Sequence, residues 1–354
     1  ASTANVNQAG SNLPTATGTE ADWSIIVGGY DNVVNGWACA VTGYHNKVEA
    51  GANHCTIGGG SIHAIAADAA YSTISGGTLN NVDADQATIS GGTQNEATAD
   101  KATVGGGATN TASGLQSTVS GGNGNTASGS GATVGGGLTN TVAGVNASVG
   151  GGTNNIGSGN NSAIAGGTAN TASGSSTAIG GGDTNTATQS GATVIGGSHC
   201  DATSYYSIAG GYYSTASGSY TVALGREAVA SRYGSHVQAS GKFTAAGDAQ
   251  TGTLTARAQT TDATPTVLGL DGTTNTPITI TTNSTLAFSG LVVGRRVNAG
   301  GEASGAYQIA GCIKNDGGTV TLVGTPTVTA LGENDASWDV AVTAETSTSK
   351  SLKI

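Results

Sequence analysis

Between Ala102 and Gly197 one β-branched residue returns just ahead of glycine, every 15 positions. The anchors there are Val104, Val119, Val134, Val149, Ile164, Ile179 and Val194. The same position extends back through Ile89, Ile74, Ile57, Val41 and Val27, and forward to Ile208 and Val222. Spacings are 14, 16 and 17 at the start, 15 through the middle, and 14 twice at the end. A fixed period of this size predicts a solenoid, in which each unit stacks on the next because none buries a core alone. If the anchor faces inward, strand alternation turns the residues two before and two after it inward too. Those two before are small: Cys39, Cys55, Ser72, Ala87, Ala102, Ser117. Those two after are glycines such as Gly29, Gly43, Gly59, Gly76, Gly91 and Gly106. A second inward set falls eight residues after the anchor, as at Val82, Ala97, Ala112, Ala127 and Val142. The predicted coil is two short strands separated by turns, around a core too thin for an internal ligand cavity.

The polar positions repeat as strictly. Asn80, Asn95, Asn110, Asn125, Asn140, Asn155, Asn170 and Asn185 fall 15 apart. Asn tolerates left-handed backbone and bonds nearby backbone, so these are predicted turn residues whose stacked amides bond coil to coil. Thr56, Thr73, Thr88, Thr103, Thr118, Thr133 and Thr193 precede their anchors and should face outward. At ~4.8 Å per stacked strand, fourteen coils make a rod of about 65 Å.

The pattern changes near Tyr205, where Tyr206 and Tyr220 fall in the slot that was small until then, predicting a wider cross-section. It fades after Phe243. Apolar runs then follow at 264–270, 277–281, 286–297, 305–314, 318–330 and 337–343, separated by turn signals such as Asp271-Gly272 and Asn315-Asp316-Gly317-Gly318. Several strands at short spacing predict a β-sandwich. The expected architecture is therefore all-β: a lead-in over 1–21, a parallel, β-roll-like solenoid of about 15-residue coils over 22–245, and a C-terminal antiparallel β-sandwich over 246–354. The opening at Ala1 without Met, and Ser351–Ile354 reading as a strand cut short, suggest a longer product or a sandwich completed by neighbours.

Composition narrows the function. Gly supplies 61 of 354 residues while charged residues supply 9%, against roughly 25% in an ordinary domain. Strict register and only four Pro argue against a disordered low-complexity tract. Net charge is −10, and neither Lys nor Arg occurs between Lys101 and Arg226. No basic stripe exists to displace counterions, so nucleic acid is not an expected partner. No apolar run reaches the roughly 18 residues of a span, so membrane insertion is not expected. Four Cys in a chain this long do not make a disulfide scaffold.

Ser176-Thr-Ala-Ile-Gly-Gly-Gly182 and Tyr220-Thr-Val-Ala-Leu-Gly225 resemble the coils of the left-handed parallel β-roll heads of trimeric autotransporter adhesins. The Gly-Gly-x-x-Asn-Thr-Ala-Ser-Gly text also resembles the repeated shafts of phage tail fibres and tailspikes. Ala246-Gly-Asp-Ala-Gln250, Gln259–Thr266, Leu268-Gly-Leu-Asp-Gly272, Val292-Val-Gly-Arg-Arg296 and Ala336-Ser-Trp-Asp-Val340 resemble the C-terminal domain of phage tail proteins. The 15-residue coil departs from the 14-residue coil of the adhesins. The phage resemblance implies a parallel homotrimer in a virion tail, with other virion tail proteins and a host surface glycan or protein as partners. A thin coil agrees, because it buries little apolar area by itself. The alternatives are an adhesin head on a bacterial outer surface and a polysaccharide-degrading tailspike with a site between subunits.

Candidate chemistry is sparse, and no catalytic, metal or cofactor residue is expected. Cys39 and Cys55 share one inward slot in consecutive coils, ~4.8 Å apart, within disulfide range; the plainer reading is a buried thiol ladder. Zinc between His54 and Cys55 is disfavoured, since adjacent strand residues face opposite ways. Trp23 and Trp37 lie 14 apart, as do Tyr30 and Tyr44. They suit stacking on sugar rings or, more plainly, capping the open end of the core. Tyr205, Tyr212, Tyr213, Tyr220, Tyr233 and Phe243 read equally as packing at a junction. His45, His54 and His63 are nine apart, which is no coil period, and receive no role. Glycan hydrolysis needs two carboxylates in one groove. Asp83, Asp85, Glu96 and Asp100 are the densest acids on the rod, with Asp85 and Asp100 stacked as like charges; a solvated face is the plainer reading. The glycine pairs lack the Lys-Ser/Thr of a phosphate loop. A single Thr column flanked by Gly, Ser and Ala is a poor array for ice.

Overall fold

The computed structural model describes residues 23–259, 266–273, 276–298, 301–335, 337–346 and 349–354. The lead-in 1–21 and the start of the 264–270 run, at 264–265, lie outside the described residues.

Every described regular element is a strand. The solenoid carries two parallel sheets. The first takes one strand from each coil, beginning Ile25–Tyr30, Ala40–Tyr44, Thr56–Ile57 and ending at His236–Ser240. The second takes the intervening strands, from Val33–Val34 to Val229–Ala230. Most strands are two residues long because turns must fit inside a 15-residue coil. In the middle, every pairing joins residues 15 apart, such as Val104 to Val119 and Ala112 to Ala127. A line of single bridges from Tyr44 to Ser198 joins the coils at a third position. The strand Gln250–Thr253 pairs antiparallel with His236–Ser240 and ends the first sheet.

The core is as thin as expected. The anchors from Val41 to Val194, the small residues two before them, and Val82, Ala97, Ala112, Ala127, Val142, Ala172, Ala187 and Ala202 are all buried. From Gly59 onward the residues two after the anchor do not face inward, while Gly29 and Gly43 abut the next coil. A Cβ built on Gly59, Gly76 or Gly106 meets open space. With strands this short, the chain has already turned away, so alternation no longer applies.

The anchor also shifts by one at both ends. Ile26, not Val27, pairs with Val41, and Val27 is 62% exposed. Ala209 and Ala223, not Ile208 and Val222, continue the column from Val194 to Val237. Bulges between Ile26 and Gly28, and between Val194 and Gly197, convert the 15-residue step into 14. The slot two before is then filled by Ser207 and Thr221, both buried, while Tyr206 and Tyr220 sit outside. The cross-section does not widen.

The left-handed residue of the turn is not the Asn but the residue before it. Leu79 has φ 58°, Gln94 55° and Thr109 53°. A second such column, Gln86, Lys101 and Gln116, lies at the other turn, with φ 58°, 60° and 59°. Each costs roughly 1–2 kcal/mol of steric strain. Each also donates its N–H to a carbonyl of the preceding coil, as Gln94 does to Thr78 at 3.0 Å and Gln116 to Asp100 at 2.9 Å. Stacking offsets the strain.

The C-terminal part holds two antiparallel sheets. One is a long hairpin, Ser284–Asn298 with Gly301–Asp316, flanked by Thr319–Leu322 and Thr327–Glu333. The other places Ser351–Lys353 between Ile278–Thr279 and Thr343–Glu345. They enclose a small core of Leu270, Ile278, Ile280, Ile313, Val320 and Leu352. Beyond that core, Leu291 and Val293 on the hairpin are 71% and 76% exposed, and Val328 and Leu331 are exposed on the neighbouring strand.

Candidate functional site: ladders and edges of the rod

The Asn column is buried and bonded on every side. The Asn125 N–H donates to Asn110 Oδ1 at 3.0 Å, and its side-chain amide donates to the carbonyls of Gly121 and Gly137, both at 2.9 Å. Its own Oδ1 accepts the Asn140 N–H at 2.9 Å. The same pattern links Asn80 through Asn185 and reaches Cys200, whose N–H donates to Asn185 Oδ1 at 2.9 Å. The amide thus satisfies the carbonyls that the turn would otherwise bury unpaired. Asn32 and Asn46 belong to the column as well.

His63 takes the Asn place in its coil. Its N–H donates to Asn46 Oδ1 at 2.9 Å and its Nδ1 accepts from Asn80 N–H at 3.2 Å. Its Nε2 is buried without a partner, and burial holds the imidazole pKa below its ordinary value. Counting from histidine to histidine hid this role. The local step is 17 residues, so the informative intervals are Asn46 to His63 and His63 to Asn80.

Cys39 and Cys55 are both buried and unbridged. The Cys55 N–H points at Cys39 Sγ, 3.4 Å away, and each thiol reaches a carbonyl, Ala52 or Ala69, at 3.2 Å. The Cys55 thiol is pushed up by its hydrogen bond to Cys39 and then by burial. Among the described residues, no group of three His, Cys, Asp or Glu is placed to hold a metal ion. No described helix is long and apolar enough to cross a membrane.

The aromatic residues run along the two edges rather than over the end of the core. Tyr30 stacks on Tyr44, with centroids 5.6 Å apart at 15°, and His45 meets both edge-on while sitting 2.9 Å from Asp31. Trp37 meets His54 edge-on at 4.6 Å, and His54 stacks on Tyr71 at 4.8 Å. Trp23 is almost fully exposed and, although both are described, makes no ring contact with Trp37.

At the other end Tyr206 stacks on Tyr220 at 5.4 Å, and His199 on Tyr213 at 4.5 Å. Tyr205, Tyr212, Tyr213 and Tyr220 are exposed; only Tyr233 of that group packs against the C-terminal core. Beside Tyr212, Ile195 and Leu224 flank Gly210 to form an open depression of about 310 Å³. The sequence missed the rings of His54, Tyr71, His199, Tyr206, Tyr213 and Tyr220 because they lie in left-handed turn columns that hold mostly polar residues or Gly in the middle coils, whereas Tyr30, Tyr44 and Tyr212 end strands of the first sheet.

Two of the four clustered acids are spent locally. Asp85 accepts the Ala70 N–H at 2.7 Å and Asp83 accepts from the Asn81 amide at 2.8 Å. Asp271 accepts from Thr273 and Thr276 in the 271–276 loop, and those bonds, Thr276 first, hold its carboxyl below the usual range. Residues 274–275 and 299–300 lie outside the described residues. Compared with known proteins, the chain matches no protein-family model, and no curated protein matches it.

Proposed function

We propose that this chain is a structural, non-enzymatic segment of a phage tail fibre or tailspike, working as a parallel homotrimer. Its solenoid is a rigid spacer in the virion tail. Its C-terminal sheets assemble the trimer or meet the host surface, beside other virion tail proteins. The β-solenoid itself fits a fibre-like structural protein. Every coil bonds to the next along the axis, and the coil interior is filled with Val, Ile and Ala.

The observation that carries the trimer is the outer face of the first sheet. From Ile25 to Leu224 its outward positions are Thr, Ser, Gly, Ala, Ile, Val and Leu, with Tyr30, Tyr44 and Tyr212 at the strand ends; the first charge on its strands is Arg226, at the edge. The second sheet carries Lys47, Glu49, Asp83, Glu96 and Asp201 on its outside. A flat face, uncharged along its strands as far as Leu224, that exposes Val27 and Ile195 near its ends is suited to burial against copies of itself. The exposed Leu291, Val293, Val328 and Leu331 extend the argument into the C-terminal sheets.

Sedimentation equilibrium should give a mass near three times 33.9 kDa. A stable monomer would overturn the reading. Incubation with capsule or lipopolysaccharide should release no oligosaccharide; release would overturn the non-enzymatic part.

A further inference from the structure

We propose that the edge formed by His199, Tyr212, Tyr213 and Arg226 binds an acidic sugar, its ring against the tyrosines and its carboxylate on Arg226. This rests on the surface-binding part of the function proposed above and names the ligand class and the place.

Three observations meet at this edge. Tyr212 and Tyr213 are 46% and 45% exposed, and lie edge-to-face at 4.6 Å. His199 is held flat against Tyr213, at 12°, with its Nδ1 fixed 2.8 Å from Ser198 Oγ. Arg226 lies over the Tyr212 ring, 5.8 Å from its centroid, with its side chain 63% exposed. The nearest acid to that guanidinium is Glu227, 3.8 Å away, and Glu227 is already paired with Lys242 at 2.9 Å. Apart from this long ion pair through Nε, Arg226 makes no side-chain hydrogen bond among the described residues, so its terminal Nη donors stay available for a carboxylate.

The chemistry of the occupant follows. A peptide strand would need free backbone groups. Here the Tyr213 N–H is spent on Ser198 O at 2.9 Å and the Glu227 N–H on Tyr212 O at 2.7 Å. The patch covers only about two coils, some 10 Å of rod, too little for a standard protein interface of about 1,600 Å². A pyranose needs neither backbone nor area. Its C–H face packs on an aromatic ring, and its hydroxyls stay in water.

Charge selects the acidic member. Arg226 is the first Lys or Arg after Lys101 in a chain of net charge −10. Asp183, the acid on the same edge, lies two bridges away from Tyr212 through Ser198.

The test uses the full chain and two probes, trigalacturonate and neutral trigalactose, titrated by calorimetry. Trigalacturonate should bind at least about tenfold more tightly than trigalactose, and Arg226→Gln should remove that difference. Tyr213→Ala should weaken both sugars, Tyr213→Phe should keep binding, and Tyr220→Ala on the opposite edge should change nothing. Circular dichroism confirms that each variant folds. Equal affinity for the two sugars, no binding of either, or an unchanged Arg226→Gln variant would overturn the proposal. So would a changed sedimentation mass for Arg226→Gln without sugar binding, which would make the edge a contact between copies. A monomeric wild type that still binds trigalacturonate would refute the trimer and leave this site standing.

Discussion

The coils between Ala87 and Val194 and the coils at either end are built on one plan but hold themselves together differently. In the middle, the step is 15 residues, the Asn ladder is unbroken and no ring stacks on another. At the ends, the step is 14, 16 or 17, His63, Cys200 and Ser214 stand in the Asn column, and aromatic ladders line both edges. The middle shows how little side-chain bulk a stacked coil needs when every buried polar group is paired. The ends show where a coil tolerates substitution. A terminal coil has one neighbour instead of two, and stacked rings of about 0.5–1.5 kcal/mol per pair add contact that the middle obtains from both sides.

The comparison breaks first at glycine. Gly121 and Gly122 look equivalent in the sequence. A Cβ on Gly121 has its nearest atom 4.0 Å away, whereas one on Gly122, at φ +90°, would sit 2.2 Å from Gly137 O. Gly122→Ala should cost more than about 3 kcal/mol, because both the backbone conformation and the neighbouring coil must yield. Gly121→Ala should stay within about 1 kcal/mol of wild type. Denaturant midpoints of the two variants measure the difference. Equal losses would mean that neither the close stacking nor the turn conformation at Gly122 sets the glycine requirement.

The Asn ladder comes next. Asn125→Ala deletes two bonds to carbonyls and leaves the Asn140 N–H without its acceptor. A loss of about 2–4 kcal/mol is expected, since a buried unpaired group costs its full desolvation. Asn32→Ala, in the first coil of the column, should cost less because fewer coils depend on it. Thermal melts of both variants test this order.

His63 makes the comparison pH-dependent. Burial lowers its folded pKa, so the unfolded chain binds a proton more readily than the folded one. The stability tied to neutral His63 is intact above the unfolded value of about 6.5 and is lost as pH falls below it. The slope cannot exceed one proton, about 1.4 kcal/mol per pH unit. His63→Asn restores the ladder residue and should flatten the midpoint between pH 7 and pH 5. An unchanged profile would mean that another group controls the acid response.

The sequence made the solenoid legible because a repeat samples each position many times. Val104, Ala112 and Asn110 recur until their burial is a matter of counting. What it hid depends on a single bulge or a single turn. The step from 15 to 14 residues at Gly28 and Gly197 moved the anchor by one, exposing Val27 and drawing Ala209 and Ala223 inward. Strands of two residues broke the alternation rule just past the anchor, so Gly59, Gly76 and Gly106, assigned inward, face open space. The aromatic edges were hidden for a related reason. Tyr206, Tyr213 and His54 occupy left-handed turn positions that no propensity for aromatic residues would suggest. The C-terminal strands were legible as apolar runs, but the 337–343 run forms a strand only at Thr343–Glu345.

The smallest expected effect tests whether the end coils need their unusual residues at all. Cys55 occupies the slot that Ser72 fills one coil later, and both side chains bond a turn carbonyl, Ala69 O at 3.2 Å and Ala84 O at 2.9 Å. Cys55→Ser therefore keeps the volume and the bond, and should change stability by no more than about 0.5 kcal/mol. The unbridged thiols predict the same midpoint with and without reductant. A wild type that loses about 2–4 kcal/mol on reduction, while the Cys55→Ser variant does not respond, would show that the pair closes a disulfide. The first coils would then be held by a covalent link that the middle coils lack, and the Ser72 analogy would fail.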